Sequence, residues 1–148
     1  MRIMLDTNIL ISAFIFKSKI MNELIELLSN EHKIVICSYC LGEMQKLIKT
    51  KFKVNRKALD NFLKNFPFEL VYSPTQVEEK KFEIRDEEDY IILHTAIIED
   101  VDILITGDKD FKEVKIERPE ILTATEFLEK YTTIADGDEA RKERCSSC

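Results

Sequence analysis

The chain has 148 residues, of which 45% are hydrophobic and 34% charged, with a formal net charge of −6. That length suits one domain able to bury roughly 70% of the surface its unfolded form exposes, so folding needs no covalent staple. The composition excludes disordered and fibrous classes, no apolar run approaches the roughly 20 residues that span a bilayer, and Asp6 and Asn8 interrupt the apolar core of a secretory signal, which makes the expected location cytoplasmic with no membrane contact.

Strand-like and helix-like segments alternate along the chain, the pattern of an α/β fold with a parallel sheet. Arg2 to Leu5 reads as the first strand and Ile9 to Phe16 as a buried helical turn. Ser18 caps a helix with Ile20, Leu24, Leu27 and Leu28 on its apolar face and Asn22, Glu23 and Glu26 on its polar one. Lys33 to Cys37 reads as the second strand, with Ser38 capping a helix whose apolar side is Leu41, Met44, Leu47 and Ile48. Asn55 caps the next helix, in which Leu59, Phe62, Leu63 and Phe66 recur at helical spacing until Pro67 stops it. Phe68 to Tyr72 reads as a short strand, and Val77 to Phe82 as a helical turn within a charged connection.

A helix from Glu87 to Asp100 carries Leu93, Ala96 and Ile97, and the run Val101 to Ile105 reads as a continuous apolar strand covered on both faces. Ile121-Leu122 is a last short strand, followed by Thr123-Ala124-Thr125-Glu126, a capping box for a final helix ending near Tyr131. From Thr132 onward there is almost nothing to bury, so residues 132–148 are expected to form a mobile polar tail after a domain spanning 1–131.

Four carboxylates stand where elements end or face inward. Asp6 and Asp108 follow the carboxyl ends of two strands, and Glu43 and Asp89 sit at the edges of inward-facing helical stripes. In an open parallel sheet, ligands bind beyond the carboxyl ends of the strands, where the strand order reverses. Acids gathered there repel one another and lose hydration, so a stable cluster calls for a cation; an all-oxygen donor set suits Mg²⁺ or Mn²⁺. Singly, each acid has an ordinary explanation. Asp6-Thr7-Asn8 can form an Asx turn, and Asp89 can serve the dipole of its helix. Asn8 occupies the place where a haloacid-dehalogenase-type phosphotransferase would want a second Asp, and is better suited to orienting Asp6. Between Glu43 and Asp60 there is no acid, but there are Lys46, Lys49, Lys51, Lys53, Arg56 and Lys57, a strip fit to lie along a phosphate backbone or simply to solvate a helix end and loop. Phe52 within it is either a stacking platform for a base or core.

In order, the residues Asp6-Thr7-Asn8, Ser38 followed by Glu43, Arg85-Asp86-Glu87-Glu88-Asp89, Thr106-Gly107-Asp108-Lys109-Asp110-Phe111, and Ile121-Leu122-Thr123 with Glu126-Phe127-Leu128 resemble the PIN domain. The likeness is greatest to the branch that serves as the toxin component (VapC-like) of toxin-antitoxin systems. It implies a three-layer α/β/α sandwich with a central parallel sheet and Mg²⁺- or Mn²⁺-dependent cleavage of single-stranded RNA. It also implies metal-binding, catalytic acids at Asp6, Glu43, Asp89 and Asp108, with Asp110 auxiliary and Thr106 a polar contact to phosphate or water. A cognate antitoxin protein and a homodimer are further implications. The chain departs from the pattern at Phe16-Lys17-Ser18-Lys19, which lacks a Pro/Gly-rich turn.

Divalent ions held by such acids would clamp a phosphodiester and activate water, and neither His32 nor His94 is needed for that. The competing readings are a PIN-like module that binds RNA or protein without cutting, and a DNA-directed nuclease. Cys37/Cys40 and Cys145/Cys148 have the spacing of zinc ligands, but Cys37 ends a strand and Cys40 opens a helix rather than lying on a knuckle loop. Packed thiols at 37 and 40, with a separate redox-labile terminal pair, are expected instead.

Overall fold

The computed structural model of the chain describes residues 1–74, 83–84 and 87–132. The expected turn at Val77 to Phe82, the acid Asp86, the terminal Cys145/Cys148 pair and all of the expected tail beyond Thr132 lie outside the described residues.

Five short strands form one all-parallel sheet: β1 (Arg2–Leu5), β2 (Lys33–Cys37), β3 (Glu69–Val71), β4 (Ile103–Ile105) and β5 (Glu120–Leu122), in the order β3-β2-β1-β4-β5. The chain works outward from β1 to β3, then crosses back to lay β4 on β1's other side. The order therefore reverses between β1 and β4, whose registered partners Leu5 and Ile105 are followed directly by Asp6 and Thr106.

Helices flank the sheet, giving the three-layer α/β/α sandwich. They are α1 (Thr7–Ile11), α2 (Lys19–Glu31), α3 (Ser38–Thr50), α4 (Arg56–Asn65), α5 (Glu87–Ile98) and α6 (Ala124–Phe127). α1 continues into a π-helical turn over Ser12–Phe16, and α6 into another over Leu128–Thr132. α3 packs on α1, α4 and α5, whereas α2 packs on α6. Met4, Leu5, Ile34, Ile36, Leu104 and Ile105 are sealed between these layers, each contributing about 1.5–3 kcal/mol by leaving water.

Several caps fall where the side-chain pattern placed them. Ser18 Oγ accepts from Met21 N at 3.2 Å, Asn55 Oδ1 from Lys57 N at 2.7 Å, and Thr123 and Glu126 complete both halves of the capping box.

Other expectations are corrected. Ile20 is exposed and Met21 takes its place on the stripe with Leu24 and Leu28, because 21, 24 and 28 line up on one face once the helix starts at Lys19. α5 ends at Ile98, and Ile97 is exposed while Tyr90 and Ile92 face inward. The strand expected over 101–105 begins only at Ile103; before it, Asp102 bonds Arg2 O and Glu120 N through its backbone and turns its carboxylate to Arg2 N (2.8 Å) and to the Arg118 guanidinium (3.1 Å). α3 is capped by Cys37, not Ser38; Ser38 instead accepts from Ser73 N at 2.9 Å. The chain that lacks a Pro/Gly turn after Phe16 reverses through Lys17, which adopts the left-handed conformation at φ 36°.

Candidate metal centre

Asp6 leaves the end of β1 with its backbone N–H still bonded to Ile105 O (3.2 Å) and at once caps α1, Oδ1 accepting from Ile9 N at 2.9 Å. Its other oxygen accepts from the Thr106 hydroxyl. Thr106, at the end of β4, accepts in turn from Asp108 N at 3.1 Å. One hydroxyl thus ties the acids that follow the two strands flanking the reversal point. Asp108 caps a tight helical turn over Lys109–Glu113, its Oδ1 accepting from Asp110 N at 2.9 Å.

Asp89 comes from the first turn of α5, and one carboxylate oxygen from each of Asp89, Asp108 and Asp110 lies within 4.8 Å of the others. Asp6, Thr106 and Asp89 are 3%, 1% and 8% exposed, whereas Asp108 and Asp110 are half-buried, so the acids run from the sheet's interior to its solvent edge. Burial pushes the Asp6 carboxyl above its ordinary value and the charge of Asp108 adds to that; the Thr106 hydroxyl and the amides of Ile9 and Asn8 oppose it.

The structure brings Asp89, Asp108 and Asp110 together and joins Asp6 to them through Thr106. Neither Asp6 nor Glu43 falls within the 4.8 Å group. Glu43 is half-buried on α3, one turn beyond Cys40, whose thiol hydrogen-bonds the Thr7 side chain next to Asp6. Asn8 is exposed on α1, and its contact with Asp6 is through its backbone amide. Asp110, read from sequence as an auxiliary, is a full member of the group, and the Asx turn that places it was legible in Asp108-Lys109-Asp110.

The donors fit a hard divalent cation: three carboxylates converge, all ligand atoms are oxygen, and the fourth acid is buried within reach of Asp108's field. His32 meets the N-terminal amine at 3.3 Å and the Phe127 ring edge, and His94 stacks on Tyr90, so neither is placed for the site.

The basic strip is exposed throughout. Lys46, Lys49 and Arg56 rim a cleft of 590 Å³ between α3 and α4, floored by Ile48, Val54 and Leu59 and lined by none of the four site acids. Lys51 and Lys53 stand at the α3–α4 connection and Lys57 opens α4. Phe52 packs edge-on to Phe16 with their centroids 6.1 Å apart.

The PIN domain family model matches residues 2–110. The chain belongs to the PIN domain family. Among solved structures it is similar to VapBC2 from Rickettsia felis bound to a DNA fragment from its promoter, at TM-score 0.63 and 27% identity over 82% of this chain and 97% of that one. It shares its fold with Mycobacterium tuberculosis VapC20, a sarcin-ricin loop cleaving toxin, at TM-score 0.55 and 12% identity over 75% and 93%. No curated protein matches it significantly. Among the described residues of this PIN domain, no helix is long and apolar enough to cross a membrane.

Proposed function

We propose that this PIN domain is a Mg²⁺- or Mn²⁺-dependent endoribonuclease that hydrolyses single-stranded RNA in the cytoplasm, as the toxin of a toxin-antitoxin pair. The observation that carries the reading is the convergence of Asp89, Asp108 and Asp110 beside the buried, Thr106-tethered Asp6 at the reversal point of the sheet. A bound divalent ion would offset the acids' repulsion, polarise the phosphodiester and lower the pKa of water. Asp89, Asp108 and Asp110 would hold it. Asp6, fixed at both oxygens, would set the negative field on the β1 side, and Glu43 would approach from α3. Thr106 keeps Asp6 and Asp108 in register, and Asn8 adds its amide. Lys46, Lys49, Lys51, Lys53, Arg56 and Lys57 would take the phosphates of the strand flanking the cut. The similarity to VapBC2 supports a cognate antitoxin as partner, and a homodimer belongs to the same reading.

The test is cleavage of end-labelled single-stranded RNA by purified protein with Mn²⁺, Mg²⁺ or EDTA, beside Asp6→Asn. Metal-dependent cutting that the substitution reduces by two orders of magnitude or more is the expected result, on the scale of losing a charge-stabilising group. Intact RNA under every condition, from folded and partner-free protein, would replace the nuclease with a PIN-like module that binds RNA or protein without cutting.

A further inference from the structure

Cys37 and Cys40 have no part in the nuclease reading, yet their setting is built. β2 runs straight into Cys37, which caps α3 through its sulfur: Sγ accepts from Cys40 N at 3.4 Å. Cys40 occupies the first turn, so the order is strand, Cys-x-x-Cys, helix, the placement in which a Cys-x-x-Cys pair at a helix N-terminus acquires thiol-disulfide chemistry. The Cys40 and Ser73 side chains both neighbour the Cys37 thiol. Ser73 is held there by donating its N–H to Ser38 Oγ at 2.9 Å, while its own hydroxyl accepts from Tyr39 N at 3.3 Å. The Cys37 sulfur thus serves as the α3 cap, with the Ser73 side chain held beside the same turn.

We infer that Cys37 and Cys40 are a reversible redox site that closes to a disulfide on reaction with small hydroperoxides and reopens with thiols. With Cys40 N already 3.4 Å from Cys37 Sγ across the cap, the two thiols can join by side-chain rotation, without the backbone movement that separated cysteines need. The two play different parts. The Cys40 thiol, with the Ser73 hydroxyl and first-turn amides, outweighs burial and lowers Cys37 to about 6, whereas its contact with Cys37, burial and nearby negative charge raise Cys40. Cys37, whose sulfur caps the α3 N-terminus and accepts from Cys40 N, is the attacking thiolate, and Cys40 the resolving thiol. The Cys37 sulfur displaces at the O–O bond of the peroxide, leaving a sulfenic acid and an alkoxide or hydroxide that takes a proton. Cys40 sulfur then attacks Cys37 sulfur, expelling hydroxide, which leaves as water with the Cys40 proton. Two electrons pass from the dithiol to the peroxide, giving one disulfide, one alcohol or water, and one further water. Both side chains are fully buried, which restricts the reagent to a small oxidant admitted by local opening of the α3 terminus.

The test uses the full chain carrying Cys145→Ser and Cys148→Ser, so that only two of its four cysteines remain. The native protein is exposed to hydrogen peroxide, quenched, unfolded and alkylated. Both thiols should be lost together, with the mass of two hydrogens removed, a linked 37–40 peptide, and full recovery on adding dithiothreitol; Cys40→Ser should instead stop at a Cys37 sulfenic acid that dimedone traps. Two thiols still alkylatable after oxidant, or oxidation that passes to sulfinic acid without linkage, would each overturn the assignment. The mass readout involves neither RNA nor metal, so it succeeds or fails separately from the nuclease reading.

Discussion

At the site, capping and cation binding are not alternatives, because a carboxylate has two oxygens. Asp6 commits Oδ1 to the α1 amide of Ile9 and Oδ2 to the Thr106 hydroxyl, and Asp108 spends Oδ1 on Asp110 N; each retains lone pairs for a metal. The ordinary local explanation of these acids is therefore also what aims them. Thr106 is the residue on which both depend. Thr106→Val keeps the shape but strands the Asp6 oxygen and the Asp108 amide, which should cost about 1–3 kcal/mol in urea unfolding and lower metal-dependent cleavage, while Thr106→Ser should preserve both; equal behaviour of the two variants would refute the tether. Asp6 itself should oppose stability when no metal is bound. Its folded pKa lies above the unfolded value of 3.8, so the folded state holds its proton more tightly, and stability is lost as pH rises from the unfolded pKa through the folded one. In EDTA, Asp6→Asn should therefore melt a few degrees higher than the parent at pH 7, with the gap closing as pH falls below the unfolded pKa; a variant less stable than the parent at pH 7 would contradict this.

At the level of elements, stability resides where sequence signals and packing agree. The Thr123 hydroxyl accepts from Glu126 N at 3.1 Å while Glu126 accepts from Thr123 N at 2.9 Å, anchoring α6 against α2 and burying Phe127. Thr123→Ala should cost about 1 kcal/mol, read as a lower urea midpoint with unchanged slope. Elements of this kind were legible: β1, β2, α2, α4, α5 and the α6 capping box follow from local caps and apolar spacing. What stayed illegible depends on tertiary partners. Ser38 and Cys37 compete for one cap, and the winner is set by Ser73, 35 residues away in sequence, drawing Ser38 to itself. Likewise Asp102 sits in an apolar run and keeps backbone bonds to Arg2 O and from Glu120 N, but its carboxylate turns to Arg2 N and Arg118, partners that local sequence does not show. The sequence singles out Asp6, Glu43, Asp89 and Asp108 because strand ends and helix stripes give direction. Which acids meet most closely is not legible there, since the approach of Asp110 and Asp89 to Asp108 follows from the turn after β4 and the seating of α5.

For the molecule as a whole, a net charge of −6 and a concentrated acid site repel a polyanion, so on the proposed reading RNA would be held by the Lys- and Arg-rich stretch between Glu43 and Asp60. Lys46 and Lys49 project from α3 beside Arg56 of α4, and as flexible point charges they suit phosphate rather than base recognition. Their contribution is separable from chemistry by working in Asp6→Asn, where bound RNA survives. In that background, Lys46→Ala with Lys49→Ala should weaken binding of unrelated single strands alike. The slope of log affinity against log salt should become shallower by about 0.7 for each phosphate that a lysine no longer neutralises. Lys33 is exposed at the amino end of β2, across the sheet from the acids, and Lys33→Ala should leave the slope unchanged. Fluorescence anisotropy with a labelled oligonucleotide over a salt series distinguishes the cases. A double substitution that shifts neither affinity nor slope would remove the strip from the RNA path and leave the cleft between α3 and α4 without a role in substrate binding, whereas an effect of equal size from Lys33 would mean that any surface cation serves.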